Sequence, residues 1–319
     1  MNQDGVILLN MGGPGNLNEV KLFLTNMFDD PNILTVKNLF LRKLIAKLIV
    51  ISRVKASKEI YKTLGGKSPI VDITKTIVDK LQHLLGDKCV VDFAMRYTPP
   101  FADEVVKRLK DRNISKIYLI PMYPHYSTTT TKSSVDDFMR ALKEHNHQAD
   151  VITVDEYYGN KLYNEAIIKR IDEKMSGEDY KDYDLIFSAH GLPQKIIDAG
   201  DKYQRHIQNN VEILKQMLIG HEMNFAKIDL AYQSKLGPLK WLEPSLQQKL
   251  NVTKTKNVII FPIAFTVDNS ETDFELAIEY KKIAREIGIK NYKVCRCVDE
   301  HPLFIDALKE LYEQSKRND

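Results

Sequence analysis

The chain has 319 residues, 43% of them hydrophobic, and a formal net charge of +3. That length suits two packed domains better than one core, and the small basic excess, with no nucleic-acid module in view, argues against DNA or RNA as a partner. The three cysteines, Cys89, Cys295 and Cys297, contain no C-x-x-C pair, which argues against a disulfide framework, structural zinc or an iron–sulfur centre and points to a reducing cytoplasm.

The first residues, MNQDGVILLNMGG, enter a strand directly, with neither the charged nor the apolar region of a signal peptide. No apolar run approaches the roughly 18 residues of a membrane span. Strands are predicted at 5–10, 90–95, 116–123 and 149–154, and again at 184–189, 227–232, 257–263 and 292–297. Amphipathic stretches such as FADEVVKRLKDR and RHIQNNVEILKQML lie between them. Steady alternation of strand and helix predicts an α/β protein with parallel sheets covered by helices, arranged as two similar doubly wound halves. The polar stretch at 155–180 separates an N-terminal domain, 1–154, from a C-terminal domain, 155–301; the last helix, 302–319, is expected to complete the first. In such sheets ligands bind beyond the carboxyl ends of the strands, so the segments after each strand are the candidate site.

MGGPGN follows the first strand. It is a weak phosphate loop: G-x-G-x-x-G is absent, and Pro14 lacks a backbone donor. At 37–55, Leu39, Phe40, Leu41, Leu44, Ile45, Leu48, Ile49 and Ile51 make a broad apolar surface rimmed by Arg42, Lys43, Lys47, Arg53 and Lys55. Such a helix either lies at a membrane interface or over a hydrophobic ligand, or is buried in a core. STTTTKSS after the third strand is rich in hydroxyls, and Ser133 or Ser134 is in place to cap the next helix. His190 directly follows the predicted strand DLIFSA and precedes Gly191, a place where a histidine can serve as base, proton shuttle or metal ligand, or simply sit in a loop. Ser188 is expected on the opposite side of the strand, and no G-x-S-x-G elbow surrounds it. In TVDNSETDFELAIEYKK, Glu271, Glu275 and Glu279 recur every fourth residue, and lysines arrive only at 281 and 282. Like charges one turn apart repel by about 0.2–0.5 kcal/mol per pair. The series is either a solvated face, a line of oxygen ligands for a divalent cation or a proton relay. Cys295 and Cys297 alternate in a strand-like stretch and read as core thiols.

Taken in order, LLNMGGP (8–14), YKTLGGKSPI (61–70), MRYTPP (95–100), YPHYSTTTTKSS (123–134), SAHGLP (188–193), YQSKLGPLKWLEP (232–244) and PIAFTVDNSETDFELAIEY (262–280) resemble ferrochelatase over nearly the whole chain. The resemblance implies two Rossmann-like, doubly wound domains, each with a four-stranded parallel sheet flanked by helices, and a porphyrin cleft between them. It implies insertion of Fe2+ into protoporphyrin IX to form protohaem, the terminal step of haem synthesis. By position, His190 and Glu271 match the family's catalytic and metal-handling pair, and Glu275 and Glu279 the acidic ladder behind it, which in the family lies on a π-helical segment. Met11, Arg53, Tyr61, Arg96, Tyr123, Ser127 and Trp241 match residues that line or orient the porphyrin. Met11 stands where members acting on coproporphyrin tend to carry tyrosine, which favours protoporphyrin. Asn269 replaces a second histidine that is frequent in the family. Thr128 stands where some members have a cluster cysteine, so no iron–sulfur cluster is expected; iron is a substrate, with no permanently bound cofactor. A neutral His190 of ordinary pKa, about 6.5, is expected to take a pyrrole proton or hold the metal beside a bent macrocycle. The expected location is cytoplasmic, with peripheral contact at the inner face of the membrane through 39–51. The alternatives are a cobalt chelatase of corrin synthesis, a non-catalytic porphyrin or haem carrier, and, made remote by the poor phosphate loop, a nucleotide-dependent enzyme.

Overall fold

The computed structural model describes residues 3–235, 237 and 239–317; Leu236 and Pro238 of the YQSKLGPLKWLEP motif, and the ends of the chain, lie outside the described residues. The chain divides into two units. The first holds the residues up to Tyr123, Ser127–Asp155 and the chain from Leu308 on; the second holds Pro124–Tyr126 and Glu156–Ala307.

In the first unit the elements are β1 (Asp4–Asn10), α1 (Glu19–Asp29), α2 (Leu39–Thr63), α3 (Ile70–Leu85), β2 (Cys89–Met95), α4 (Ala102–Asp111), β3 (Lys116–Pro121), α5 (Ser133–Glu144) and β4 (Asp150–Thr153). The strands are all parallel, in the order β2-β1-β3-β4. Every residue of β1 is buried, as expected of a central strand covered by helices on both faces. On one face Ile7, Leu9, Val105, Leu109, Leu119 and Phe138 form the core.

The second unit contains α6 (Lys161–Met175), β5 (Asp184–His190), α7 (Gln194–Asp198), α8 (Tyr203–Gly220), β6 (Lys227–Gln233), α9 (Leu246–Leu250), β7 (Asn257–Phe261), a π-helix (Glu271–Glu279) that runs directly into α10 (Tyr280–Glu286), β8 (Asn291–Val294) and the start of α11 (Pro302–Arg317). Its sheet is again all parallel, ordered β6-β5-β7-β8. In both units the chain leaves the first strand toward one edge and the third toward the other. The switch points therefore lie between β1 and β3 and between β5 and β7, where open α/β sheets bind ligands.

Four strands are shorter than predicted, among them β4, which spans only Asp150–Thr153. β7 stops before Pro262, which has no N–H to extend the ladder, and β3 and β8 stop at Pro121 and Val294. Cys295 and Cys297 therefore lie just beyond β8, where both are buried, and burial pushes both thiols well up. From Leu308 on, α11 packs in the first unit: Tyr312 lies edge-on to Tyr118 at 5.0 Å and its hydroxyl donates to Asp4 Oδ2 at 2.7 Å.

The first half of α2 is not a core helix. Only Ala46 and Val50 of its first three turns are buried, while Phe40, Leu48 and Ile51 are 80%, 59% and 63% exposed. Among the described residues no helix is long and apolar enough to cross a membrane.

Candidate active site

At the switch point of the second unit two of the expected site residues meet. His190 is the last residue of β5, and the chain leaving β7, on the neighbouring strand, reaches Glu271. Asn269 starts the π-helix: its Oδ1 accepts from the Glu271 N–H at 2.8 Å, and its own N–H donates to Thr272 Oγ1 at 2.9 Å. Glu271 Oε2 then lies 2.8 Å from His190 Nδ1. Because a carboxylate only accepts, Nδ1 carries the hydrogen, and a neutral ring keeps its lone pair on Nε2. The Tyr203 hydroxyl donates to the His190 carbonyl at 2.9 Å and fixes its backbone.

The three glutamates do not form a uniform face. Glu271 and Glu275 are partly buried and Glu279 is exposed. In a π-helix the hydrogen bonds run i→i+5, so residues four apart still follow one another along one side. Burial disfavours an imidazolium at His190, but the charge and hydrogen bond of Glu271, with the charge of Glu275, outweigh it and raise the pKa above its ordinary value. Burial likewise works against ionised Glu271, but the charge and hydrogen bond of His190, with Ser234 and Gln233, hold its pKa below the usual carboxylate value. Glu275 is pushed up to about 7 by burial and by the like charge of Glu271. The expectation of an ordinary His190 is thus corrected: Glu271 and Glu275 stabilise its protonated form and make the neutral imidazole a stronger proton acceptor than a free one.

Gly191 has a packing reason to be glycine. A Cβ there would lie 2.7 Å from the Gln233 carbonyl oxygen and 3.5 Å from the Trp241 ring. A β-bridge between Pro193 and Trp241 holds the indole beside the histidine loop. Ser188 also differs from expectation. Its Oγ donates to Gln233 Oε1 at 2.7 Å, and Gln233 reaches Glu275. It belongs to the same side as His190, because residues two apart in a strand share a face.

The residues expected of the first unit separate into three groups. Tyr123, after β3, has its hydroxyl 3.3 Å from Ser134 Oγ, and burial raises its pKa beyond the ordinary tyrosine value. Arg96 is already paired: Nη2 lies 3.1 Å from Asp30 Oδ2 and Nε donates to Ser133 Oγ at 2.9 Å. Asp30, 2% exposed, also accepts from the Tyr97 hydroxyl at 2.9 Å and from Ser133 Oγ. Ser133 and Ser134 therefore hold Asp30 and Tyr123 rather than cap α5. Ser127 is fully buried, its Oγ accepting from Thr129 N–H at 3.1 Å at the start of a π-helical turn, Thr128–Lys132. Tyr61 and Met11 meet in an apolar cluster with Val20, Phe23, Leu24, Val50 and Tyr97. Arg53 lies at the edge of the same cluster, its guanidinium 5.9 Å over the ring of Phe28, which packs against it. Nor is the glycine loop a phosphate cradle: the Gly13 N–H donates to Thr98 Oγ1, and a Cβ on Gly12, at φ +83°, would come within 2.3 Å of that oxygen.

Sequence reading overlooked Asp30, Gln233 and Ser234. Asp30 looks like a turn residue in DDPN, and Gln233 and Ser234 stand in a motif whose individual contacts no spacing announces. Among the described residues no set of three or more His, Cys, Asp and Glu is arranged to hold a metal ion. His190 and Glu271 together offer one nitrogen and one carboxylate, a donor set that suits Fe2+ and its neighbours and that leaves most of a metal's coordination open for another ligand.

A sequence model of the ferrochelatase family matches residues 3–316. A protein named ferrochelatase from Sulfurimonas denitrificans is 55% identical over 316 residues, 99% of this chain and 100% of the relative. One of the same name from Nitratiruptor sp. is 52% identical over 97% of this chain and 99% of its own length. Among solved structures, SirB from Bacillus subtilis with Fe3+ aligns over 98% of this chain and 95% of its own, with a TM-score of 0.58 at 10% identity, a likeness of fold alone. With that fold and a match running through every loop described above, the chain belongs to the ferrochelatase family.

Proposed function

We propose that the protein inserts Fe2+ into protoporphyrin IX to form protohaem, with His190 and Glu271 at the reacting centre. The observation that carries this reading is the 2.8 Å contact between His190 Nδ1 and Glu271 Oε2, with the partly buried Glu275 and the exposed Glu279 behind it. Both inner N–H protons of the macrocycle must leave as the metal enters. His190 Nε2, with its imidazolium stabilised by Glu271, accepts a pyrrole proton. Glu271, Glu275 and Glu279 form a polar path between that point and solvent, along which iron enters or protons leave. A porphyrin bound bent exposes its nitrogen lone pairs, so binding energy is used in distortion.

Trp241 beside His190, and Met11 and Tyr123 beyond β1 and β3, are proposed to contact the macrocycle. Arg96 and Ser127 are assigned to hold those loops, since their polar groups are engaged within the protein. The exposed apolar face of α2 with its cationic rim is proposed to rest on the inner face of the membrane. Identity of 55% to a protein named ferrochelatase favours iron and porphyrin over a corrin precursor and cobalt, and the carboxylate path favours an enzyme over a carrier.

Anaerobic incubation with protoporphyrin IX and Fe2+, followed by absorbance, tests the reading. His190→Ala should abolish insertion while porphyrin still binds; turnover near wild type in that variant overturns it.

A further inference from the structure

Ser234 follows β6 and is half-buried. Its hydroxyl lies 2.6 Å from Glu275 Oε2 and 3.1 Å from Glu271 Oε2, and its N–H donates to Glu275 Oε1 at 2.9 Å. The residue thus grips both oxygens of one glutamate and touches the carboxylate that meets His190. Its φ is +64°, a left-handed conformation that L side chains other than Asn, Asp and His adopt infrequently. Glycine is the residue that suits this backbone without strain. A serine there spends conformational stability at a place where a hydroxyl reaches two carboxylates, and strain of this kind gathers at functional sites. Gln233 supports the arrangement from the same strand: it accepts from Ser188 Oγ at 2.7 Å and its Nε2 lies 3.5 Å from Glu275 Oε2.

We propose that Ser234 is the positioning residue of the carboxylate path, its hydroxyl holding Glu275 in line with Glu271 so that the pair presents its oxygens to incoming metal. This deepens the iron-insertion reading and rests on it. Without the hydroxyl, Glu275 keeps only the backbone donor on Oε1 and the long contact from Gln233, and its Oε2 is free to rotate away from Glu271. Porphyrin binding, which this hydroxyl does not serve, is untouched.

The test uses two substitutions in the full chain. Ser234→Ala deletes the hydroxyl and keeps the strain; Ser234→Gly deletes the hydroxyl and relieves it. Steady-state kinetics under anaerobic conditions, varying Fe2+ and protoporphyrin IX separately, should show KM for Fe2+ rising about tenfold in both, the scale of one hydrogen bond to a charged group, with KM for porphyrin unchanged. Ser234→Cys, which restores a weak donor, should recover part of the loss. A Ser234→Gly enzyme with wild-type KM for Fe2+ overturns the proposal, because the residue then matters only to the turn. An equal rise in both KM values also overturns it, because the loss is then one of general structure. If Ser234→Ala does not fold, Ser234→Gly decides. His190→Ala, assayed alongside, separates the two levels: an active His190→Ala defeats the iron-insertion reading, whereas an inactive one beside normal Ser234 variants defeats only this proposal.

Discussion

Replacing Glu275 with Gln tests the electrostatics of the path most directly. Glu275 is held at about 7 by burial and by the charge of Glu271. It is therefore about a tenth ionised at pH 6, half at pH 7 and nine-tenths at pH 8. Glutamine copies the neutral acid in shape, and its amide oxygen can still accept the Ser234 N–H, so the fold should survive. If the ionised form serves the passage of Fe2+ or protons and contributes one charged contact, about 1.4 kcal/mol or tenfold in rate, the wild-type advantage grows with its ionised fraction. The ratio of kcat/KM for Fe2+ between wild type and Glu275→Gln should then climb from about 2 at pH 6 to about 9 at pH 8. Anaerobic initial rates at saturating porphyrin measure it, and taking the ratio removes the pH dependence of the substrates. A ratio that stays flat from pH 6 to pH 8, or falls, refutes the assignment of a working, ionisable role to Glu275.

Glu271→Gln should lower kcat/KM about a hundredfold, since it removes the charged partner of His190 and weakens the contact with Ser234, whereas Glu279→Gln, at an exposed position, should change it less than about twofold; equally slight effects on initial rate would return the series to a solvated face. The buried His125 donates through Nε2 to Asn210 Oδ1 at 2.9 Å, and burial drives its pKa down to about 3. Its folded value lies below its unfolded one, so the stability tied to the neutral ring is present above about pH 6.5 and is lost as pH falls, by about 2 kcal/mol at pH 5. His125→Gln keeps the donor without the titration; urea unfolding at pH 7.5 and pH 5 should show it losing about 2 kcal/mol less than wild type on acidification, and identical losses would dismiss the account. The protein should float with anionic liposomes, and replacing Phe40, Leu48 and Ile51 with Ser should abolish flotation; a wild-type protein that stays at the bottom of the gradient removes the membrane role of α2.

Much of the fold was legible in the chain because its signals are local. Strand runs such as VILLN and LIFSA carry their apolar, β-branched character wherever they fold, and their alternation with amphipathic helices dictates parallel, doubly wound sheets. The glutamate spacing, the histidine after LIFSA and the family motifs are likewise written in single segments. Where local chemistry was ambiguous, tertiary packing decided. Pro262 truncated β7, the exposed face of α2 could have been core, and the hydroxyls of Ser133 and Ser134 went to Asp30 and Tyr123 instead of a helix cap. The strand order β6-β5-β7-β8 alone brought His190 and Glu271, 81 positions apart, to 2.8 Å. The same packing raised His190, lowered Glu271 and raised Glu275. A pKa depends on burial and on charges a few ångströms away, and neither exists until distant segments meet.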